Sequence, residues 1–394
     1  AEPWDKFVQV ATGRVFAAWV DLRAGDGFGR VVTAELGPDR AVFVPRGVGN
    51  AFQALDDDTA YSYLVTAHWS PDGQYPAVHP GDPALGIAWP IPLERAELSE
   101  KDRTQPLLAE VAPMPPRRIL VTGADGQLGR ALAAVLPGAD LLARADLDIT
   151  DPAAVAAVDG SQYAAIVNAA AFTGVDAAET SEHRATAWAV NAVAVGHLAR
   201  LATTHGIPLV QVSSDYVFDG TRELHTADEP LSPLGVYGQT KAAGEAAAAT
   251  APQHYLVRTS WVIGEGPNFV RTMARLAAEG VDPAVVDDQI GRLTFADDLA
   301  AAIAHLLTVR PDPGVYPMSN AGPAQSWADI AARVFALTGH DPARVRRVST
   351  AEYSAGRAGV APRPRHSMLD LSRLEATGFA PRDAETALAA YLAR

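Results

Sequence analysis

The 394-residue chain has no cysteine and only three lysines, Lys6, Lys101 and Lys241, against twenty-nine arginines. Without cysteine there is no disulfide framework and no thiolate nucleophile, which fits a cytoplasmic setting. No His/Cys spacing of the metal-binding kind occurs, so no metal is expected. No run of eighteen apolar residues and no signal-peptide pattern is found, so no membrane association is expected. Positive charge is also short. The formal net charge is −14 and the pI near 5.1, which argues against nucleic acid or anionic membranes as partners. An anionic small molecule must then be held by local donors, not by a general field.

Scarcity makes each lysine informative, and Lys241 stands four residues after Tyr237. Random placement of the same residues would give roughly 0.08 such pairs. Residues four apart share a helix face, with Cβ atoms about 5–6 Å apart. An ammonium about 4 Å from a phenol is worth roughly 4 kcal/mol at an effective dielectric near 20, enough to draw the phenol from about 10 toward 7. A tyrosine so poised can give a proton to a ketone and take it back. The same spacing also describes a surface pair on the alanine-rich helix through Ala242 and Ala249.

Arg117-Arg-Ile-Leu-Val-Thr122 reads as a buried strand. The glycine turn Gly123-Ala-Asp-Gly126-Gln-Leu-Gly129 follows, and Arg130 to Leu136 continue at helical period. Strand, glycine turn and helix open a dinucleotide-binding unit, with close backbone approach at the glycines and the helix N-terminus facing a pyrophosphate. A plain strand–helix turn is the alternative. Further strands are expected at Ala164–Asn168, Pro208–Val212 and His254–Arg258, with an amphipathic stretch from Ala185 to His205 between the first two. This alternation predicts an α/β fold with a doubly wound parallel Rossmann sheet and a small C-terminal substrate lobe over 117–394. Before the Pro-rich linker 111–116, residues 1–110 carry short β-type runs separated by Gly, Pro and Asp turns. That texture predicts an all-β jelly-roll domain.

The second segment resembles the extended short-chain dehydrogenase/reductase family, and within it the dTDP-4-dehydrorhamnose reductases. The resemblance is carried in order by the glycine turn, Asp146-Leu-Asp-Ile-Thr150, Asn168-Ala-Ala-Ala171, Val175-Asp-Ala-Ala-Glu179, Ser213-Ser-Asp-Tyr-Val-Phe-Asp-Gly220, Tyr237-Gly-Gln-Thr-Lys241 and Arg258-Thr-Ser-Trp261. Asp288-Gln-Ile-Gly291 and Thr294 extend it, with Leu293 where the family usually has Pro. It implies Ser214, Tyr237 and Lys241 as catalytic residues: the carbonyl-binding hydroxyl, the proton donor, and the charge that lowers the phenol's pKa and holds the nicotinamide ribose. It implies Asp215, Tyr216 and Trp261 along the substrate pocket, though Ser-Ser-Asp also suits a strand end and Trp261 a core position. Cofactor contacts are implied for Gly123, Gly126, Gln127, Leu128, Gly129, Asp148, Ile149, Ala169, Ala170 and Ala171, with Ala packing the alternative for the last three. Arg144 near the end of the second strand favours a 2′-phosphate, so NADPH is expected, with NADH also usable. The implied substrate is a dTDP-4-keto-6-deoxy sugar. The arginine-rich region 340–366 is either a rim for substrate phosphates or a solvated face. A structural Mg²⁺ is not decided by the sequence.

The first segment resembles part of the dTDP-4-dehydrorhamnose 3,5-epimerases, a cupin-like family, through Val20-Asp-Leu-Arg23, Phe28-Gly29, Pro45-x-Gly47, the run from Asp82 to Pro90, and Leu98-Ser-Glu-Lys-Asp102. Lys6, Tyr63 and Asp82 fall on that family's active-site Lys, Tyr and Asp. Its catalytic His precedes the position matched by Lys6 and has no counterpart here. Neither His68 nor His79 matches it, and the chain begins at Ala1, which suggests a missing N-terminal piece. Asn50 replaces the second His. An inactive domain serving assembly, with a homodimer, is the expectation. Two rivals remain for the whole chain. A sugar-nucleotide 4,6-dehydratase or 4-epimerase of the same fold is one; Tyr216 follows Asp215 where dehydratases of the superfamily carry an Asp-Glu pair, which argues against dehydration and leaves the 4-epimerase. A non-catalytic nucleotide-binding regulatory subunit is the other.

Overall fold

The computed structural model describes residues 4–66, 76–357 and 359–394, and His68 lies outside them. The chain forms two compact units, Ala1–Pro116 and Arg117–Arg394.

In the first unit, β1 (Lys6–Thr12), β2 (Val15–Asp21), β3 (Val31–Leu36), β4 (Ala41–Val44), β5 (Val48–Ala54) and β6 (Ala60–Val65) form two antiparallel sheets, ordered β4-β1-β6 and β3-β2-β5. Strand alternation selects the inner face. Val8 and Val10 are buried while Phe7 and Gln9 between and beside them are exposed. They pack with Val15, Ala17, Trp19, Leu36 and Val44. The sequence pattern missed β5, because Gly49 and Asn50 are poor strand formers. Pairing with β2, from Val15↔Ala54 to Asp21↔Val48, holds it in place.

In the second unit, β7 (Arg118–Thr122), β8 (Asp140–Leu142), β9 (Tyr163–Asn168), β10 (Leu209–Ser214) and β11 (His254–Thr259) join the short strand Gly314–Val315. The six-stranded sheet is parallel throughout, in the order Gly314–Val315, β11, β10, β9, β7, β8. Successive residues of each strand face opposite sides. Val121, Val167, Val210 and Val257 pack under the helices Gln127–Val135 and Ala296–Val309. Their neighbours Leu120, Ile166, Leu209 and Leu256 pack with Val195 and Leu198 of the helix Ala194–His205. Such two-sided burial explains why these strands read as continuous apolar runs. A third cluster, with Met273, Leu293 and Phe335, is drawn from the C-terminal part of the unit. The order reverses at β7, which lies between β8 and β9, and ligands bind beyond the strand ends at such a switch point.

Candidate active site

A cleft of about 780 Å³ opens at that point. Buried polar side chains tie β7, β9 and β10 together: Thr122 Oγ1 donates to Asn168 Oδ1 at 2.7 Å, and Asn168 Nδ2 to Gln211 Oε1 at 2.7 Å. Gly123 follows β7 with φ +78°, and a Cβ there would stand 2.5 Å from the Ala170 nitrogen. Only glycine permits that approach. Gly126, Gln127, Leu128, Arg144, Asp148, Ile149 and Ala169 to Ala171 all line the cleft with Gly123. Gly129 lies behind the turn and not on the cleft. A Cβ on it would come within 2.3 Å of the Gly123 carbonyl oxygen, so it serves helix packing. This cradle, closed to any side chain, fits the pyrophosphate of a dinucleotide. Arg144 pairs with Asp148 at 3.3 Å, on an exposed rim. Asp148 also accepts from the Thr150 hydroxyl and N–H, and these bonds, with Arg144, hold its carboxyl below the usual range.

The helix Val236–Ala248 carries Tyr237 and Lys241 into the same cleft. Its N-terminus is capped from a distance: Glu179 Oε1 accepts from the Val236 N–H at 2.7 Å, a carboxylate where the helix dipole favours one. Asn191 fastens the other side, in a π-type turn at Ala189–Val193. Its side chain bonds the N–H and carbonyl of Phe172 and the Thr240 hydroxyl. Neither residue was singled out in the sequence, although Glu179 lies in a recognised segment. The interruption of the expected helix from Ala185 to His205 at a π turn, a device frequent at functional sites, is visible only in three dimensions.

Ser214 ends β10, with its Oγ accepting from the Tyr216 N–H at 3.2 Å and donating to Asp215 Oδ1 at 2.9 Å. Tyr216 and Tyr237 meet edge to face, with centroids 5.5 Å apart. Trp261, with φ +49°, stacks on Trp327 at 3.9 Å. Trp327 also lines the cleft and was not anticipated. Ser214, Asp215, Tyr216, Tyr237, Lys241 and Trp261 are thus brought together.

The electrostatics correct one expectation. Burial of its hydroxyl end pushes the Tyr237 phenol up to about 12, the Asp215 carboxylate adding to this and the Ser214 hydroxyl opposing it. Lys241, whose ammonium donates to the Val212 carbonyl at 2.6 Å, is not among the groups that shift it. Burial lowers Lys241 itself to about 8, against the pull of Glu245. The arginines of 340–366 do not line the cleft. Arg363 grips Asp176 through both terminal guanidinium nitrogens at 3.0 Å. Arg344, Arg346 and Arg347 pair with Asp282, Glu352, Asp287 and Asp329.

In the first unit, Asp82 is a structural cap, its oxygens accepting from Ala84 N–H at 2.8 Å and Leu108 N–H at 2.6 Å. Lys6 Nζ lies 4.7 Å from the centre of the Tyr63 ring. A cavity of about 630 Å³ is lined by Asn50, Phe52 and Trp89 among others, but not by Lys6, Tyr63 or Asp82. Among the described residues no helix is long and apolar enough to cross a membrane, and no group of three His, Asp or Glu is placed to hold a metal.

A parallel sheet with a glycine turn at its switch point, and Ser, Tyr and Lys gathered beside it, defines the short-chain dehydrogenase/reductase class. Residues 117–394 match the family model for the RmlD substrate binding domain, and residues 1–110 that for dTDP-4-dehydrorhamnose 3,5-epimerase. The chain belongs to the dTDP-4-dehydrorhamnose reductase family. It is 44% identical to the dTDP-4-dehydrorhamnose reductase of Streptomyces griseus, over 69% of this chain and 91% of that protein. It is 41% identical to the dTDP-4-keto-6-deoxy-D-glucose reductase of Streptomyces niveus, over 67% of this chain and 92% of the relative. Among solved structures, dTDP-4-dehydrorhamnose reductase from Bacillus anthracis in complex with NADP superposes with a TM-score of 0.64 at 33% identity, covering 70% of this chain and 98% of that one.

Proposed function

We propose that this chain reduces the 4-keto group of a dTDP-6-deoxy-4-keto-hexose, with NADPH as the reductant. The observation that carries the reading is the convergence of Ser214, Tyr237 and Lys241 on one cleft with the glycine turn. NADPH, when bound, supplies the hydride. Gly123, Gly126, Gln127 and Leu128 cradle its pyrophosphate, Asp148 and Ile149 flank the adenine end, Ala169 to Ala171 lie along its length, and Arg144 faces the 2′-phosphate. Ser214 donates to the substrate carbonyl oxygen, where charge concentrates as reduction proceeds. Tyr237 then protonates that oxygen. A phenol at about 12 keeps its proton at neutral pH, yet it is far more acidic than the alcohol that its proton completes. Lys241, still largely charged at neutral pH, orients the ribose. Asp215, Tyr216 and Trp261 bound the sugar.

For the first unit, the two antiparallel sheets and the epimerase-family match support a cupin-like jelly-roll domain. It acts in assembly, as part of a homodimer, and does not epimerise. The domain limits in this reading are 1–110 and 117–394 around the linker 111–116. A cytoplasmic sugar-nucleotide enzyme is the setting it implies. The test is NADPH absorbance: it should fall when a dTDP-4-keto-6-deoxy sugar is added and stay constant with dTDP-glucose. No loss of absorbance with any 4-keto sugar nucleotide would reject the reading.

A further inference from the structure

The cleft contains an ionisable group to which the reduction gives no proton-handling task, Asp215. It is 2% exposed. Its Oδ1 takes the Ser214 hydroxyl at 2.9 Å, and its Oδ2 has no hydrogen-bond partner among the described residues. An ionised carboxylate so poorly solvated is costly to keep.

Among the described residues, the charges that act on it are held by other partners. His225 lies close enough to favour the ionised form, but its ring is held between Glu229 at 3.0 Å and the His366 carbonyl at 3.1 Å. The Ser367 hydroxyl also favours the carboxylate. Tyr216 and Tyr237 face it with neutral phenols. Lys241 is committed to Val212, and Arg363, which faces Tyr216, to Asp176.

We infer that Asp215 decides which way Ser214 points its only proton, so that the cleft can polarise a substrate carbonyl when Asp215 is itself protonated. A serine hydroxyl has one donor. Toward an ionised carboxylate it forms a charge-assisted bond, stronger than the neutral one a ketone offers. The ketone oxygen then meets lone pairs. Once Asp215 carries a proton, its O–H donates to Ser214 Oγ, and the serine proton turns to the substrate. Burial pushes the Asp215 carboxyl up to about 6, so both forms are accessible near neutral pH. A sugar seated against it excludes more water and raises it further. Asp215 is therefore a positioning residue that acts through Ser214. The inference rests on the reductase reading, in which Ser214 donates to the ketone.

The test is the pH dependence of kcat for NADPH consumption with a dTDP-4-keto-6-deoxy sugar, from about pH 5 to about pH 9. The native protein should gain about tenfold or more on the acid side of a break at or above the Asp215 value. A separate fall near 8, from Lys241 losing its charge, should persist in every variant. In Asp215→Asn the acid-side gain should vanish. In Ser214→Ala, which is slower overall, it should vanish too, because Asp215 has nothing left to act through. Should Asp215→Asn fail to fold, Ser214→Ala decides alone. A native profile without the gain, or survival of the gain in either variant, overturns the inference. A native protein that consumes no NADPH at any pH overturns the reductase reading instead.

Discussion

Lys241 donates to the backbone carbonyl of Val212, 2.6 Å away, so the ammonium is held against β10 by a fixed acceptor. The residue is 4% exposed. A guanidinium is planar, bulkier and presents its donors in a fixed fork, which this position cannot accommodate. Lys241→Arg should weaken NADPH binding and lower turnover, each by about tenfold or more. Fluorescence titration and steady-state rates measure both. Native values for the variant would reduce Lys241 to a packing residue.

Tyr237→Phe removes the proton donor but leaves the ring packed against Tyr216. Turnover should fall by about 10² or more, with NADPH affinity nearly unchanged, as expected for loss of a general acid. Retention of half the activity would assign the proton to another group.

Asp215 also predicts a pH-dependent stability. Its carboxyl titrates at about 6 in the folded protein, above its reference value of 3.8. The folded state thus holds a proton that the unfolded chain has released, and the group's favourable contribution, complete below 3.8, is lost as pH rises through 6. Asn cannot ionise, so Asp215→Asn should gain on the native protein by up to about 3 kcal/mol between pH 4 and pH 7. Urea unfolding at the two values measures the difference. An unchanged gap would mean that Asp215 is ionised throughout.

Arg258 of β11 binds Glu245 of the Tyr237 helix through Nε at 3.0 Å and through a terminal nitrogen at 2.8 Å, both side chains almost wholly buried. Removing one partner strands the other charge. Arg258→Met should cost about 3–5 kcal/mol, and adding Glu245→Leu should restore much of it. Thermal unfolding of the single and double variants separates a buried pair from a surface one, for which the double variant would recover nothing.

For the β unit, the Asn50 side chain accepts from the Tyr61 hydroxyl at 3.0 Å and cannot titrate. Incubated in D₂O with dTDP-4-keto-6-deoxyglucose and no NADPH, the protein should introduce no deuterium at C3 or C5 beyond the buffer rate. Faster exchange would locate a base elsewhere in this chain.

Local signals made most of the reductase unit legible. Apolar runs bounded by glycine and proline marked β7, β9, β10 and β11, since strands buried on both faces leave little choice of residue. The glycine turn and the Tyr–Lys spacing were equally readable, because each depends on residues within one turn or one helix face. The β5 strand was not readable. Its Gly49 and Asn50 carry weak strand preference, and only pairing with β2 holds them extended.

What the sequence determined by itself was therefore the order of elements and the chemical groups available, both set by short-range periodicity and residue type. Tertiary structure alone decided how those groups behave. Glu179 caps a helix 57 residues further on, and Arg363 grips Asp176 across 187. Lys241 turns to a backbone carbonyl, and Tyr237 rises to about 12 where spacing predicted a fall. Burial and charge depend on what packs around a group from distant parts of the chain, and no local pattern encodes that.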